Sequence, residues 1–270
     1  MRSAITISLV PEARGGPFVF WDDLAAGCQK AAALGYDAVE VFPRSVQEPD
    51  RASLKKLLAQ FHLTLAAMGT GAGWVAHKWR LTDSDAETRR RATEFAGAII
   101  DLAGSLGAPA IIGSMQGRWE GCVAREQSLV WLAEALEKLA PRAANYGVPL
   151  LLEPLNRYET NVLNRVEDCM AFLDTLRTQN VKLLCDLFHM NIEEAGISDA
   201  IRRVGSRLGH VHFADNNRRA VGAGHLAIAP VVQALRDVGY DGCVSAEILP
   251  LPDSDRAARQ SIESFKKWFR

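Results

Sequence analysis

The chain has 270 residues, of which 48% are hydrophobic and 23% are charged, as is usual for a folded globular protein. Its 31 Lys and Arg residues and 32 Asp and Glu residues give a net charge of -1, which provides no field to attract nucleic acid or an acidic membrane. The five cysteines form no Cys-x-x-Cys motif, which argues against a disulfide framework or structural zinc. The chain opens without a signal-peptide pattern, and no segment is apolar enough to span a membrane. We therefore expect a soluble, cytoplasmic protein that binds neither nucleic acid nor membranes.

Short apolar runs alternate along the chain with longer segments of helical periodicity. The predicted strands are Ile5–Leu9, Ala38–Phe42, Thr64–Met68, Ala110–Ile112, Leu150–Glu153, Lys182–Asp186, His210–Phe213 and Cys243–Ile248. Asp23, Asp50 and Asp85 each precede a helical segment, and Gly35 and Gly107 follow one, as capping residues do. Strict alternation of strands and helices predicts parallel strands joined by right-handed crossovers.

Eight strand and helix units in 270 residues predict an α/β fold, a single (β/α)₈ TIM barrel, which typically needs about 250 residues. The turn after the first strand lacks the Gly-x-Gly-x-x-Gly motif that an open dinucleotide-binding sheet would carry there. The glycine-rich segment 69–73 lacks the Lys and Ser or Thr of a phosphate-binding loop, so we interpret it as a flexible loop at the site. No linker or change in composition divides the chain, so we expect one domain over residues 1–270.

Four polar residues lie at or near the ends of the last four predicted strands, where the active sites of such barrels are found. They are Glu153, Asp186, His212 and Glu247. Their separations of 33, 26 and 35 residues are each close to one β/α unit, so they should converge on one side of the barrel mouth. Three carboxylates gathered there would repel each other without a cation. This mostly oxygen-donating set predicts one divalent metal ion, Mn²⁺ before Mg²⁺ or Co²⁺, with Zn²⁺ as an alternative.

Four segments of the second half of the chain also match a known family. They are Leu152–Glu159, Asp186–Glu194, His212–Arg218 and Gly222–His225. These segments resemble the ketose 3-epimerases of the xylose isomerase-like barrel superfamily, which include the D-tagatose and D-psicose 3-epimerases. Within that family they are most similar to the 5-keto-L-gluconate epimerases. The resemblance implies a carbohydrate epimerase, an isomerase that binds a small sugar or sugar acid, and we expect a homodimer or homotetramer.

The resemblance also implies roles for individual residues. Glu153, Asp186, His212 and Glu247 would be the metal ligands, and the two glutamates among them would also transfer the proton. Glu159, His189 and Arg218 would hold the carbonyl end of the sugar. The chemistry is consistent, because a metal chelated by the carbonyl and a neighbouring hydroxyl stabilises the enediolate formed when the adjacent C–H loses its proton. Inversion at C3 then needs two acid–base groups on opposite faces of the sugar.

Basic and aromatic residues follow the third and fourth predicted strands. The basic residues are His77, Lys78, Arg80 and Arg118. If they face the mouth, they favour a substrate with its own carboxylate, which places a keto sugar acid slightly ahead of a neutral ketose. Trp74 and Trp119 would either cover the substrate or pack within their own loops.

Other functions are compatible with parts of this pattern. An aldose–ketose isomerase, a hydroxypyruvate isomerase or an inosose dehydratase or isomerase would share the ligand set. A DNA-repair endonuclease on the same barrel would need a zinc cluster with further histidines, where this chain has Thr70 and Ser114, and a more positive surface. A sugar-binding module without catalysis would not need three carboxylates around a metal.

Overall fold

Parallel strands form the centre of the computed structural model, which describes residues 1–270. The strands are β1 (Arg2–Ser8), β2 (Phe20–Trp21), β3 (Ala38–Phe42), β4 (Thr64–Gly69), β5 (Ala110–Ile112), β6 (Leu150–Leu152), β7 (Val181–Asp186), β8 (Leu208–His212) and β9 (Cys243–Ala246). Hydrogen bonding runs from β1 through β3 to β9 in chain order, and pairing between β1 and β9 closes a barrel of eight strands. The two-residue β2 pairs beside the end of β1. The predicted (β/α)₈ fold is confirmed, with strand bounds that differ by at most three residues.

Ten α-helices connect or follow these strands. They are α1 (Leu24–Leu34), α2 (Arg51–Phe61), α3 (Ala72–Val75), α4 (Ala86–Gly104), α5 (Arg125–Ala144), α6 (Val166–Asp174), α7 (Leu187–Glu193), α8 (Ile197–Val204), α9 (Ile228–Asp237) and α10 (Ser254–Phe269). Asp23, Asp50 and Asp85 cap helices as predicted, each accepting a hydrogen bond from a backbone N–H of the first turn. Gly35 ends α1 with a φ of 83°, in the left-handed region that glycine adopts without strain. No helix is both long enough and apolar enough to cross a lipid bilayer.

Three short helices were not predicted, and two of them shape the barrel mouth. α3 begins within segment 69–73, so the expectation of a loop there is wrong at its C-terminal end. α7 begins directly after Asp186, whose carboxylate accepts a hydrogen bond from the Phe188 backbone N–H. Helices of four to eight residues span too few turns for a periodic apolar pattern to stand out from the sequence.

The apolar core fills the barrel and the layer between strands and helices. All three residues of β5 and of β6 are buried, as expected for parallel strands covered on both faces. Ionisable side chains are also buried, among them Glu40, Glu153, Asp186, His212 and Glu247. Because an isolated charge is costly to bury, each of these groups must find a compensating partner, and this requirement defines the site.

Candidate active site

The structure brings together the four residues that end the last strands. Asp186 and His212 are paired in the ladder between β7 and β8, Glu153 follows β6 directly, and Glu247 follows β9. His212 Nδ1 lies 3.4 Å from Glu153 Oε1, 3.4 Å from Asp186 Oδ2 and 3.5 Å from Glu247 Oε2. One ligand atom from each of the four lies within 4.8 Å of all the others.

Three atoms at the centre of this cluster have no hydrogen-bond partner although they are buried. They are Glu153 Oε1, Asp186 Oδ2 and His212 Nδ1. Buried polar atoms nearly always have hydrogen-bond partners in folded proteins. Three unpartnered atoms that face one point therefore indicate a binding site for a positively charged group. Two donors that each lie about 2.1 Å from a shared ion are about 3–3.5 Å apart in octahedral or tetrahedral geometry. The distances from His212 Nδ1 fit that spacing, so this donor set could hold a divalent cation.

The acid–base equilibria of the cluster reflect the same lack of positive charge. Burial raises the pKa of Glu153 to about 8, against the lowering effect of His212, and burial also raises the pKa of Glu247. Burial opposes protonation of His212, but Glu40 and Glu247 outweigh it and hold the pKa of His212 well above its usual value. Without a metal, protons on Glu153 and His212 therefore balance the charge that a cation would balance.

Glu40 lies beneath this cluster and was missed in the sequence. It is fully buried in β3, with Oε1 3.0 Å from His212 Nε2 and Oε2 2.7 Å from His210 Nε2. These separations are hydrogen-bond lengths, so the two imidazoles donate to the carboxylate. His212 consequently presents Nδ1 to the site above it. The signal was present: a glutamate at the centre of the apolar run Ala38–Phe42 needs a buried partner.

The three predicted substrate contacts also lie at the mouth. Arg218 Nη2 lies 2.7 Å from Glu247 Oε2, and Arg218 Nη1 lies 3.1 Å from Glu159 Oε1. The guanidinium also covers the ring of Phe188, with its central carbon 4.8 Å from the ring centroid. His189, in α7, is buried, and its unpartnered Nε2 lies 3.9 Å from Glu153 Oε1. The structure thus places His189 and Arg218 at the rim of the carboxylate cluster.

A cavity of about 490 Å³ opens above the cluster. Glu153, Glu247, His189 and Arg218 line its floor and one side. The opposite wall comes from the first half of the chain and is largely apolar and aromatic, with contributions from Val10, Phe18, Phe42, Trp74 and Val75. A polar, ionisable end facing an apolar wall is the arrangement expected for a small polar ligand whose reacting end must be fixed.

Only one of the four basic residues expected at the mouth lines this cavity. Arg118 does so, and its guanidinium forms no ion pair and makes one hydrogen bond, to the Tyr158 carbonyl oxygen at 3.4 Å. Trp74 also lines the cavity, with the Lys78 ammonium over its ring at 5.0 Å from the centroid. The Trp119 indole instead donates a hydrogen bond to a neighbouring loop backbone.

The expectation that the other three basic residues face the mouth is wrong, because each of them contacts a neighbouring side chain. Arg80 Nη1 lies 2.6 Å from Glu120 Oε1, and its Nη2 lies 3.0 Å from Asp83 Oδ2. The His77 ring stacks on Trp79 with 4.3 Å between centroids. The sequence showed four basic residues near the mouth but not the carboxylate and aromatic groups that contact three of them.

Comparison with known proteins decides the family. The model of the family described as xylose isomerase-like TIM barrel matches residues 28–268. L-ribulose 3-epimerase from Methylomonas sp. (strain DH-1) is 32% identical over 243 residues, which cover 86% of this chain and 83% of that protein. D-psicose 3-epimerase from Agrobacterium fabrum is 31% identical over 239 residues, covering 87% of this chain and 79% of that protein. This chain belongs to the ketose 3-epimerase family.

A solved structure supports the same assignment. Crystalline D-allulose 3-epimerase from Methylomonas sp., in complex with D-allulose, superposes on this family member with a TM-score of 0.83 and 26% identity, covering 100% of this chain and 97% of that one. The chain is therefore an enzyme of the isomerase class, as the resemblance implied. The narrower likeness to 5-keto-L-gluconate epimerases stays a prediction.

Asp215 fixes the loop of this epimerase that carries Arg218. Its two carboxylate oxygens accept four backbone N–H groups, those of Asn216, Gly222, Gly224 and Leu226, at 2.8–3.0 Å. Arg218 itself has a φ of 58°, a left-handed conformation that is uncommon for a residue with a side chain. Burial would raise the pKa of Asp215, but the four donors outweigh it and hold the pKa below its usual value.

We predict that Asp215→Asn lowers the free energy of unfolding by about 2 kcal/mol at pH 7, because the amide loses the charge and turns an NH₂ group toward N–H donors. The pKa of this carboxyl is lower in the folded chain than in the unfolded chain, where it is about 3.9. The stabilisation is therefore complete above that value and disappears as the pH falls through the folded-state pKa. Denaturant titrations between pH 7 and pH 2.5 measure both effects.

Asp174→Asn provides the control, because Asp174 forms an exposed ion pair with Arg207 at 2.6 Å. Its loss should cost less than about 1 kcal/mol. An equal cost for both variants at pH 7 would contradict a special role for the Asp215 loop.

Proposed function

We propose that this chain is a metal-dependent epimerase that inverts C3 of a ketose or keto sugar acid, with Glu153 and Glu247 as the acid–base pair. The observation that carries the proposal is the group of three buried, unpartnered atoms of Glu153, Asp186 and His212 below the cavity that Glu153 and Glu247 line. The family supports the sugar substrate, since three relatives that are 30–32% identical over 85–87% of this chain are named L-ribulose or D-psicose 3-epimerases.

The donor set fits one divalent ion. Glu153, Asp186, His212 and Glu247 would hold it, and their three carboxylates and one imidazole suit Mn²⁺, Mg²⁺ or Co²⁺, with Zn²⁺ as the alternative. When bound, such an ion stabilises negative charge on the substrate oxygens. Mn²⁺ is the ion that we propose.

The two glutamates supply the proton transfers. One carboxylate removes the proton from C3, and the electrons of that C–H bond form a C2–C3 double bond while the carbonyl oxygen takes the negative charge. The other glutamate, protonated at the start, then delivers its proton to the opposite face of C3, and the carbonyl re-forms. The carboxylates follow β6 and β9, which are separated in the barrel by β7 and β8, so they approach a sugar from different sides.

Arg218, Glu159 and His189 would hold the carbonyl end of the sugar. Arg218 bridges Glu247 and Glu159, so it fixes the direction of the Glu247 carboxylate and brings a positive charge to the side where the oxyanion develops. A donor placed in advance in a water-poor site stabilises that charge without having to reorganise during the reaction.

The test of this function is epimerisation in deuterated water. With Mn²⁺ present, the wild-type enzyme should convert a ketose or keto sugar acid into its C3 epimer with solvent deuterium at C3. Glu153→Gln and Glu247→Gln should each reduce net epimerisation at least a hundredfold, because inversion needs both acid–base groups. One of the two variants should still exchange label into a single epimer.

Metal analysis of each variant separates loss of the base from loss of the ion. Near wild-type epimerisation by both metal-loaded variants would rule out the two-base mechanism. Product analysis distinguishes the rival isomerases and dehydratases, because they release an aldose, a shifted carbonyl or a dehydrated product instead of a C3 epimer.

Glu40 should control metal affinity through His212. We predict that Glu40→Gln weakens Mn²⁺ binding by about 10- to 100-fold, as loss of the carboxylate behind a ligating histidine usually does. Calorimetric titration gives the affinity, and the metal-induced rise in Tm should shrink in parallel. Tyr36→Phe is the control, because it removes a buried hydrogen bond to the Ala258 carbonyl in α10 that involves neither histidine, and it should lower stability without weakening metal binding. Unchanged affinity in Glu40→Gln would remove this role.

Arg118 distinguishes the two substrate classes. Because its guanidinium lines the cavity without an acidic partner, we propose that it binds a substrate carboxylate. A charge-assisted hydrogen bond contributes about 1.5–3 kcal/mol, so kcat/KM should favour a keto sugar acid over the neutral ketose by roughly ten- to a hundredfold. Arg118→Ala should remove this preference and spare the neutral ketose, whereas Arg80→Ala, outside the cavity, should preserve it. Equal turnover of both substrates by the wild type would leave a general ketose 3-epimerase.

A further inference from the structure

Asn156 lies in the loop after β6, beside the site, and has no role in the mechanism above. It is buried, with 2% of its surface exposed. Its side-chain oxygen accepts a hydrogen bond from the Tyr158 backbone N–H at 2.9 Å. Its side-chain nitrogen donates to Glu159 Oε1 at 3.0 Å and lies 2.7 Å from His189 Nδ1. The side chain therefore connects two residues of the predicted carbonyl pocket.

The neighbours of Asn156 fix the orientation of its amide. If the amide were flipped, its NH₂ group would face the Tyr158 N–H, and its oxygen would face the Glu159 carboxylate. Both contacts would pair like with like, donor with donor and acceptor with acceptor. Only the observed orientation satisfies all partners, so the NH₂ group is the one that faces His189.

This orientation decides which nitrogen of His189 carries the proton. Nδ1 faces the Asn156 NH₂ group at 2.7 Å and the Asn156 backbone N–H at 3.3 Å, and both of these groups are donors. Nδ1 must therefore accept, and the ring proton lies on Nε2. Nε2 is buried, has no partner in the chain, and lies 3.6 Å from Asp186 Oδ2 at the edge of the carboxylate cluster.

We propose that Asn156 is a positioning residue that holds His189 in the Nε2–H tautomer, so that His189 acts as a hydrogen-bond donor to a substrate oxygen and not as a proton acceptor. The inference about catalysis rests on the proposed epimerase function, whereas the inference about the tautomer does not. The Nε2–H tautomer leaves the proton transfers to Glu153 and Glu247 alone, because the only unpartnered nitrogen of His189 already carries a proton.

The tautomer is measured directly by long-range ¹H–¹⁵N correlation spectra of the full chain with ¹⁵N-labelled histidine and diamagnetic Mg²⁺. Comparison with His189→Gln assigns the His189 signals among the six histidines. The wild type should show an unprotonated Nδ1 and a protonated Nε2. Asn156→Asp replaces the donor with an acceptor and should move the proton to Nδ1.

Activity then tests the consequence for catalysis. Asn156→Asp should lower kcat about a hundredfold, the usual cost of a misplaced donor to a developing oxyanion, with little change in KM. In a His189→Gln background, Asn156→Asp should have little further effect, since Asn156 acts through the imidazole. An additive loss in the double variant would overturn the positioning role.

Asn164→Ala is the matched control, because Asn164 holds the same loop through the carbonyls of Leu155 and Thr160 without contacting His189. It should reduce stability and leave the His189 signals unchanged. If Asn156→Asp fails to fold, Asn156→Ala removes the same donor and should yield a mixture of tautomers. A protonated Nδ1 in the wild type, or ring signals that neither Asn156 variant moves, would overturn the proposal. Failure of the wild type to epimerise any ketose or keto sugar acid would refute the proposed function and leave the tautomer assignment standing.

Discussion

Burial of negative charge is the constraint on which this site depends. A carboxylate inside the barrel loses its hydration and must gain positive charge or hydrogen-bond donors in return. Glu40 receives two imidazole N–H groups, and Glu247 receives the Arg218 guanidinium. Glu153 keeps one oxygen without any partner, and that oxygen faces the unpartnered atoms of Asp186 and His212. The unbalanced part of the charge is thus concentrated at one point, which is where a cation fits.

The groups around that point are held by elements outside the strands. α7 begins at the end of β7, so the turn that releases Asp186 from the sheet also brings His189 over it. The loop after β8 is folded around the Asp215 carboxylate and carries Arg218 back over the mouth. Rigid strand ends therefore supply the predicted ligands, and two braced connections supply the residues that would meet the sugar.

The barrel and its four strand-end residues could be predicted because both follow from local patterns. Apolar runs locate the strands, and a spacing of about one β/α unit places Glu153, Asp186, His212 and Glu247 in phase. Pair interactions between distant segments could not be derived in this way. Glu40 lies 170 residues along the chain from its partner His210, and Arg80 forms an ion pair with Glu120 and does not line the cavity. The resemblance to the epimerases supplied His189 and Arg218, but the dependence of His189 on Asn156 needed the positions of individual donor atoms.

The two halves of the barrel contribute to the cavity in different ways. The predicted metal ligands lie at or directly after the ends of β6 to β9, whereas Phe18, Phe42, Trp74 and Arg118 come from segments before β6. A substitution at one of these wall positions can therefore change the shape or charge that the distal part of a sugar would meet without replacing a residue of the reacting centre. Selection for a new substrate could act on those few wall positions while the catalytic residues stay the same. Exchange of N-terminal loops between related barrels is the corresponding route for engineering specificity.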